Sequence, residues 1–221
     1  MPQFFGAATV EGMRNKMEHN IWMTSDLHIS HERISELAGR PFDNINDMNE
    51  AIVSNWNETV APEDTVYILG DLCLGKMDDS LPIAGELQGY KILIPGNHDR
   101  VSPMYSHKKG YDRWAARYRN EAGICEILDP QVRIDIGHHR KVLVSHFPYS
   151  GDSRKEDRFV DYRPVDTGEF LVQGHVHEKW LQKGRQINVG LDAWGGRIVS
   201  EDQLAELIDA GPNDIPAIPW K

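Results

Sequence analysis

The sequence contains little cysteine and no long apolar run. Cys73 and Cys125 are the only two cysteines among the 221 residues, so no disulfide framework can form and we expect free thiols in a reducing compartment. No apolar run reaches the length of a membrane span. The segment Met1–Val10 lacks the basic region of a signal peptide. Together these absences predict a cytoplasmic protein.

Positive charge is also scarce. Lys and Arg together number 24 against 34 Asp and Glu, which gives a formal net charge of −10 at pH 7. Stable binding of duplex nucleic acid needs clustered basic residues, so we do not expect it here. A small anionic substrate remains compatible with this charge balance, because a bound cation can reverse the local field. We therefore expect a small-molecule substrate and a monomer or small homo-oligomer.

Five short apolar runs are each followed directly by polar residues. These runs lie at residues 21–25, 65–70, 91–96, 141–145 and 169–174. Short apolar runs bounded by glycine or serine are typical of buried strands. Between them, Met48, Ile52 and Trp56 recur at intervals of four, as on one face of a helix, and residues 112–121 repeat that pattern. Strands that alternate with helices predict an α/β fold.

The remaining segments define the expected domain limits. We predict a flexible arm at 1–20, a single domain at 21–211 and an extended tail at 212–221, whose three prolines exclude a helix. Ser200 and Gln203 have the spacing of a capping box that opens one more helix. Predicted loops lie at 73–80, 100–110 and 150–167. The last is long and charged, as disordered segments and functional lids are, and its position between His146 and His175 favours a functional role.

The polar residues that follow the five runs are suitable metal ligands. Open α/β sheets bind ligands beyond the carboxyl ends of their strands, so we expect these residues at one edge. Mixed oxygen and imidazole donors suit Mn²⁺, Fe²⁺ and Zn²⁺. Seven such donors are too many for one ion and fit two ions that share a bridging carboxylate, an arrangement that hydrolyses phosphate esters. The seven are Asp26, His28, Asp71, Asn97, His146, His175 and His177.

The order of these residues resembles the calcineurin-like metallophosphoesterase family, especially its small bacterial and phage members. The resemblance extends from residue 21 to about residue 200 and is carried by Asp26-Leu-His28, Gly70-Asp71, Gly96-Asn97-His98-Asp99, Ser145-His146 and Gly174-His175-Val-His177. The full order is highly specific, whereas any one motif is weak. The resemblance implies a four-layer sandwich of two mixed β-sheets flanked by helices.

The same resemblance implies a place for each ligand. Asp71 would bridge two divalent ions, with Mn²⁺ expected and Fe²⁺, Zn²⁺, Ni²⁺ or Co²⁺ as alternatives. One ion would be held by a set made of Asp26, His28 and His177. The other ion would be held by a set made of Asn97, His146 and His175. His98 would lie beyond the ions, where Asp99 could orient its imidazole.

A catalytic role for His98 follows from the chemistry of such a site. Two ions can lower the pKa of a bridging water, whose hydroxide attacks phosphorus in line with the leaving alkoxide. That alkoxide needs a proton, and a histidine with a pKa near neutrality is a natural donor. The resemblance further implies a phosphodiesterase, with 2′,3′-cyclic nucleotides as the first expected substrates and 3′,5′-cyclic nucleotides as the second.

Two other functions remain open on the same fold. One is a phosphomonoesterase or protein phosphatase. The protein phosphatases of the family resemble Gly-Asp-x-Val-Asp-Arg-Gly, whereas this chain reads Gly70-Asp-Leu-Cys-Leu-Gly-Lys76 and lacks the phosphate-binding arginine, which puts protein phosphatase activity in doubt. The other is a catalytically silent binding module. Such modules typically lose a ligand, and here every expected position is filled.

Three nearby residues have two interpretations each. His31 could contact substrate or only cap the next helix. Arg158 could bind substrate phosphate or belong to a solvated charged loop. Asn188 could support a metal ligand or only form a turn at a strand end.

Overall fold

The chain folds into two mixed β-sheets with flanking helices. The computed structural model describes residues 19–105, 110–136 and 140–220. The first sheet contains the strands β1 (Ile21–Thr24), β2 (Thr65–Ile68), β3 (Tyr90–Leu93), β4 (Ile124–Ile127) and β10 (Val199–Ser200). The second contains β5 (Gln131–Asp135), β6 (Lys141–Ser145), β7 (Leu171–Gln173), β8 (Gln182–Gly184), β9 (Gln186–Asn188) and β11 (Asn213–Ile215). The predicted pair of mixed sheets is confirmed.

Strand direction determines where the polar residues collect. The first sheet has the order β10-β1-β2-β3-β4, in which β1 to β4 run parallel. The second has the order β11-β8-β9-β7-β6-β5, in which β6, β7 and β9 run parallel. All five predicted strands with polar residues at their carboxyl ends belong to these parallel sets. Their following loops therefore open at a common edge.

The helices flank the sheets. They are α1 (Ile34–Ala38), α2 (Ile45–Thr59), α3 (Met77–Gly85), α4 (Tyr111–Asn120) and α5 (Glu201–Ala210). The predicted stripe of Met48, Ile52 and Trp56 is buried in one apolar cluster that also takes residues of α1, α3 and α4. The predicted capping box is present, with Ser200 accepting from the backbone of Gln203. The periodicity and capping signals thus located α2, α4 and α5 correctly.

A second apolar cluster joins the two sheets. Met23 of β1 packs there with Val144, Val172 and Ile187 of the second sheet, and all four are fully buried. Its neighbour Trp22 points the other way, toward the helices, as the two-residue period of a strand requires. Each fully buried side chain of this size stabilises the fold by about 1.5–3 kcal/mol. The two packed layers hold the strand ends in fixed positions.

Two segments differ from the sequence prediction. The predicted loop at 73–80 gives way to α3 at Met77, whose first turn carries two acidic residues that favour a helix N-terminus, while Pro82 inside the helix conceals it in the sequence. Part of the predicted extended tail, β11, pairs antiparallel with β8, so this segment belongs to the second sheet. Segment 150–167 is irregular as predicted, apart from a short 3-10 turn at Val160–Tyr162.

Several other predictions concern the chain as a whole. Cys73 and Cys125 are free thiols, as predicted. Within the part of the chain that the structure describes, no helix has the length and apolarity needed to cross a membrane. Residues 1–18 of the predicted arm lie outside the described residues. The limits of the single predicted domain remain a prediction.

Candidate metal centre

The loops after five strands bring all seven candidate ligands to one edge of the molecule. Backbone hydrogen bonds join these loops to one another, such as Asp26 N–H to the Gly70 carbonyl at 3.0 Å and His28 N–H to the Asp71 carbonyl at 3.0 Å. The sheets meet there too, because Leu191 N–H, after β9 of the second sheet, donates to the Ser25 carbonyl, after β1 of the first sheet, at 3.0 Å. The centre is therefore part of the rigid framework and not of a mobile loop.

A first group of donor atoms belongs to Asp26, His28 and His177. Their ligand atoms all lie within 4.8 Å of one another. His28 Nε2 is 3.8 Å and His177 Nε2 is 3.9 Å from Asp26 Oδ1. Among the described residues, neither Asp26 Oδ1 nor the two ring nitrogens of His28 has a hydrogen-bond partner, although all three are buried. Buried polar atoms without partners are costly, and a divalent cation between them would satisfy this group.

A second group of donor atoms comprises Asp26, Asp71 and His146, again within 4.8 Å. His146 Nε2 lies 3.6 Å from Asp71 Oδ2 and 3.1 Å from the amide oxygen of Asn97. Asp71 Oδ2 is also 3.6 Å from His28 Nε2 of the first group. Asp71 thus faces both groups, as expected of a bridging carboxylate, and Asp26 is shared between them as well.

Each of the three residues in this second group has one side-chain atom anchored to the protein. Asp26 Oδ2 accepts from His175 N–H at 2.8 Å, and Asp71 Oδ1 accepts from His98 N–H at 2.8 Å. His146 Nδ1 lies 2.8 Å from the Leu69 carbonyl, which fixes the proton on that nitrogen. The opposite oxygen or nitrogen of every pair is then directed at the shared centre. This is the donor arrangement that a metal ion requires.

His175 is placed differently from the other predicted ligands. It belongs to neither group of three, and its Nε2 lies 3.1 Å from Oδ2 of Asp152. Its ring centroid is 5.2 Å from that of His146, so it adjoins the second group. The pairing with Asp152 leaves Nδ1 as the nitrogen available for an ion, and ligation by His175 stays a prediction.

Charge is concentrated in this buried edge. Burial raises the pKa of Asp71; His146 lowers it and Asp26 raises it further, for a value of about 6. Burial lowers the pKa of His28, and the positive partners His177 and Arg40 add to that effect. At His177 burial lowers the pKa, but Asp26 and Asp192 outweigh it and raise the value to about 9. The carboxylates thus already attract positive charge, and a divalent cation would compensate them more fully.

The backbone at the centre adopts an uncommon conformation. A positive φ between 50° and 70° occurs at Asp26, His28, Asp71, His175 and His177. For residues other than glycine this left-handed region costs roughly 1–3 kcal/mol each and is concentrated at functional sites. Five predicted ligands therefore owe their orientation to a locally strained backbone that the surrounding sheets hold in place.

Three residues that the sequence did not single out support the ligands from behind. Asp192 Oδ2 lies 2.8 Å from His177 Nδ1. Arg40 donates to Asp192 Oδ1 at 2.7 Å and to the Asp26 carbonyl at 2.7 Å, and both its side chain and that of Asp192 are fully buried. Asp152 supports His175. Because ligating histidines usually donate to a carboxylate, a search for unassigned Asp near the histidine loops could have found two of them.

The other predicted site residues lie around this centre. Asn188 donates to the carbonyls of His177 and Trp180 at 2.8 and 2.9 Å, so it holds the His177 turn. His31 is half-buried, 5.3 Å between ring centroids from His28. Arg158 donates to Asp152 Oδ1 at 2.6 Å and lines a cleft of about 270 Å³ beside His28, His98 and His177. Its loop is therefore part of the site.

His98 and Asp99 have distinct surroundings. The His98 side chain is 39% exposed, and its Nε2 lies 3.9 Å from Asp71 Oδ2. Asp99 is fully buried and accepts from the backbone N–H groups of Asp71, Gly96 and Leu72 and from the Tyr118 hydroxyl. The expected bond to the His98 imidazole is not among these. Asp99 instead fastens the loop of Asp71 to the loop of Asn97.

Comparison with known proteins agrees with this geometry. The profile of the calcineurin-like phosphoesterase family matches residues 19–206. The chain belongs to that family. It is 37% identical over 199 residues to the gene 66 protein of Mycobacterium phage L5, covering 86% of this chain and 94% of that protein.

Further relatives extend the likeness to phage and bacterial proteins. The gene 66 protein of Mycobacterium phage D29 is 38% identical over 200 residues, covering 86% of this chain and 96% of that protein. A solved structure of a protein of unknown function from Aquifex aeolicus superposes with a TM-score of 0.61 at 27% identity, covering 86% of this chain and 99% of that one. The predicted resemblance to small phage members is confirmed.

Asn97 offers a first prediction about the second group. Asn97→Ala is expected to weaken Mn²⁺ binding at one of two sites. The loss should exceed the roughly 10–100-fold that follows removal of a residue that only hydrogen-bonds a metal ligand. The metal-free stability should change by less than about 1 kcal/mol, because the one polar contact of this side-chain amide among the described residues is with the His146 imidazole. Titration of chelator-stripped protein with Mn²⁺, together with its melting temperature, measures both quantities.

Asn188→Ala is the matched control for that experiment. It removes the same kind of amide, but three backbone groups lose a hydrogen-bond partner, the carbonyls of His177 and Trp180 and the N–H of Gly190. It should therefore lower the melting temperature of the metal-free protein, whereas Asn97→Ala should not. A large fall in melting temperature for metal-free Asn97→Ala would contradict the assignment of Asn97 as a ligand.

Proposed function

We propose that this protein is a metal-dependent phosphodiesterase of cyclic nucleotides, with 2′,3′-cyclic forms preferred over 3′,5′-cyclic forms. The observation that carries the proposal is the pair of buried donor groups that share Asp26 and face Asp71, directly beside a partly exposed His98. Buried carboxylates and imidazoles of this kind suit Mn²⁺, which we propose as the metal, with Fe²⁺, Zn²⁺, Ni²⁺ and Co²⁺ as alternatives.

The chain's own residues would divide the work as follows. When bound, two divalent ions supply a nucleophile at neutral pH and neutralise phosphoryl charge. The ligands at the strand ends hold them, and Arg158 at the rim of the cleft binds a phosphoryl oxygen. His98 donates a proton through Nε2 to the leaving alkoxide. Burial, aided by His146, lowers the pKa of His98 to about 4, so an anionic phosphate beside the ring is needed to favour its protonated form.

The shape of the adjoining surface supports a diester with a large leaving group. The cleft over His28 and His98 adjoins a second cleft of about 660 Å³, and the two share His31, Arg33 and Leu74 in their walls. Its other walls combine the apolar side chains of Ile45 and Ile83 and two asparagines with the charged side chains of Glu32, Lys76 and Asp79. Apolar faces with a few amide groups suit a nucleoside, whereas a small monoester would leave this space unused.

The test is hydrolysis of bis(p-nitrophenyl) phosphate by chelator-stripped protein. We expect no turnover without metal and restored turnover with Mn²⁺, followed by a preference for 2′,3′-cyclic AMP over 3′,5′-cyclic AMP and over AMP in a substrate screen. Turnover of AMP alone would replace the diesterase with a phosphomonoesterase. Folded protein that turns over nothing with any divalent ion would instead be a binding module.

A further inference from the structure

The carboxylate of Asp192, behind the ligand candidate His177, makes four contacts with three residues. Oδ2 faces His177 Nδ1 at 2.8 Å and accepts from Arg40 Nη2 at 3.1 Å. Oδ1 accepts from Arg40 Nε at 2.7 Å and from the indole N–H of Trp220 at 3.2 Å. The last partner comes from a segment that lies beyond the family match, which ends at residue 206. None of the roles proposed above uses it.

The backbone around residues 193–196 is built to receive that indole. Ile218 N–H donates to the Ala193 carbonyl at 2.9 Å and aligns residues 218–220 beside the turn. Gly196 has φ +84°, and a Cβ at this position would overlap the ring of Trp220. Phe42 meets the same ring edge-to-face at 5.6 Å between centroids. The indole is thus held on two sides while its N–H points at Asp192.

We propose that Trp220 is a positioning residue of the metal centre. A carboxylate can rotate about its own bond, and each of its oxygens can accept from several directions. Trp220 and Arg40 Nε together fix Oδ1, which leaves Oδ2 to take the proton of His177 Nδ1. That contact keeps a proton on Nδ1 and leaves Nε2, which lies 3.9 Å from Asp26 Oδ1, as the nitrogen available to an ion. Trp220 therefore acts on metal affinity through Asp192 and His177.

The effect should be confined to one ion. His177 belongs to the first donor group and not to the second. In the second group His146 is held by the Leu69 carbonyl, which does not involve Trp220. Loss of the indole N–H should accordingly weaken the ion at Asp26, His28 and His177 and leave the other ion bound as before. A general loosening of the fold would not discriminate between the two.

Trp220→Phe tests the proposal because it keeps an aromatic ring between Gly196 and Phe42 and removes only the indole N–H that donates to Asp192. We expect calorimetric titration of chelator-stripped protein with Mn²⁺ to show one of two sites weakened by about three- to tenfold, less than the 10–100-fold typical of a direct partner of a ligating histidine. The other site should be unchanged. The readout is metal binding, so it is independent of whether the protein cleaves any diester.

Trp22→Phe is the matched control. Trp22 also donates its indole N–H to a buried carboxylate, Asp64 Oδ2 at 2.8 Å, but at the opposite end of β1 from the metal centre. It should lower the melting temperature without changing either Mn²⁺ affinity. The proposal would be overturned if Trp220→Phe left both Mn²⁺ affinities unchanged or weakened both sites equally. It would also be overturned if the two variants had equal effects, or if the parent protein bound no divalent ion.

Discussion

His98→Ala is expected to slow the hydrolysis of cyclic nucleotides by about 10²–10⁴-fold, the usual contribution of a general acid, while hardly affecting nitrophenyl diesters. The ribose alkoxide is a poor leaving group and needs the proton that His98 Nε2 would give it. Nitrophenolate leaves readily without one. The ratio of kcat for the two substrates, measured in parent and variant at saturating Mn²⁺, isolates proton donation from all other effects.

The structure makes this variant a clean one. His98 anchors Asp71 Oδ1 through its backbone N–H, at 2.8 Å, and not through its imidazole. Alanine retains that N–H. The metal ligands should therefore stay in place, which Mn²⁺ titration can verify. His31→Ala is the control, since it removes another imidazole at the same rim and any loss should be equal for the two substrates. Equal losses in His98→Ala would reject His98 as the general acid.

Arg40→Met is expected to destabilise the metal-free protein by about 3 kcal/mol, the lower end of the cost of breaking a buried ion pair. The guanidinium is fully buried and satisfies Asp192 together with the carbonyls of Asp26 and Leu27. Methionine fills a similar volume but removes the donors to the two carbonyls and the positive charge that faces Asp192. Protonated His177 beside Asp192 offsets part of the loss, which is why we expect the lower end.

Urea unfolding of the metal-free protein and thermal melting measure that effect. A loss of 3 kcal/mol corresponds to a fall in melting temperature of roughly 6–12 °C for a chain of this length. Arg33→Met is the matched control, because Arg33 and its partner Glu36 are 68% and 75% exposed at 3.7 Å and should change stability little. Similar losses for both variants would show that Arg40 does no more than a surface arginine.

The candidate metal ligands could be predicted from the sequence, whereas the residues that hold them in place could not, because the first follow a local pattern and the second do not. Asp26, Asp71 and Asn97 each follow an apolar strand at once, so local sequence and the topology of parallel strands suffice to bring them together. Arg40, Asp152 and Asp192 belong to no local pattern. Arg40 meets Asp192 across 152 positions of the chain, and such a contact depends on tertiary packing alone.

The fold shows the same division. Helix α2 carries its apolar face at intervals of four and was predicted. Helix α3 contains Pro82, and β11 lies between two prolines, so local rules concealed both. Asp99 was expected to serve His98 because the two are adjacent in the chain. Its carboxylate instead joins backbone groups of three residues, a role that only the folded loops define.

The left-handed backbone at five of the predicted ligand positions has a consequence for ancestry. A lineage that no longer bound metal ions would still have the strained backbone at those positions but would gain no metal binding from it. Substitutions by residues that adopt a positive φ without strain would therefore be favoured there. Glycine and asparagine tolerate that conformation best. Glycine at the positions of His28, His175 and His177 would thus identify relatives that have abandoned chemistry, and it would do so before any overall divergence of sequence.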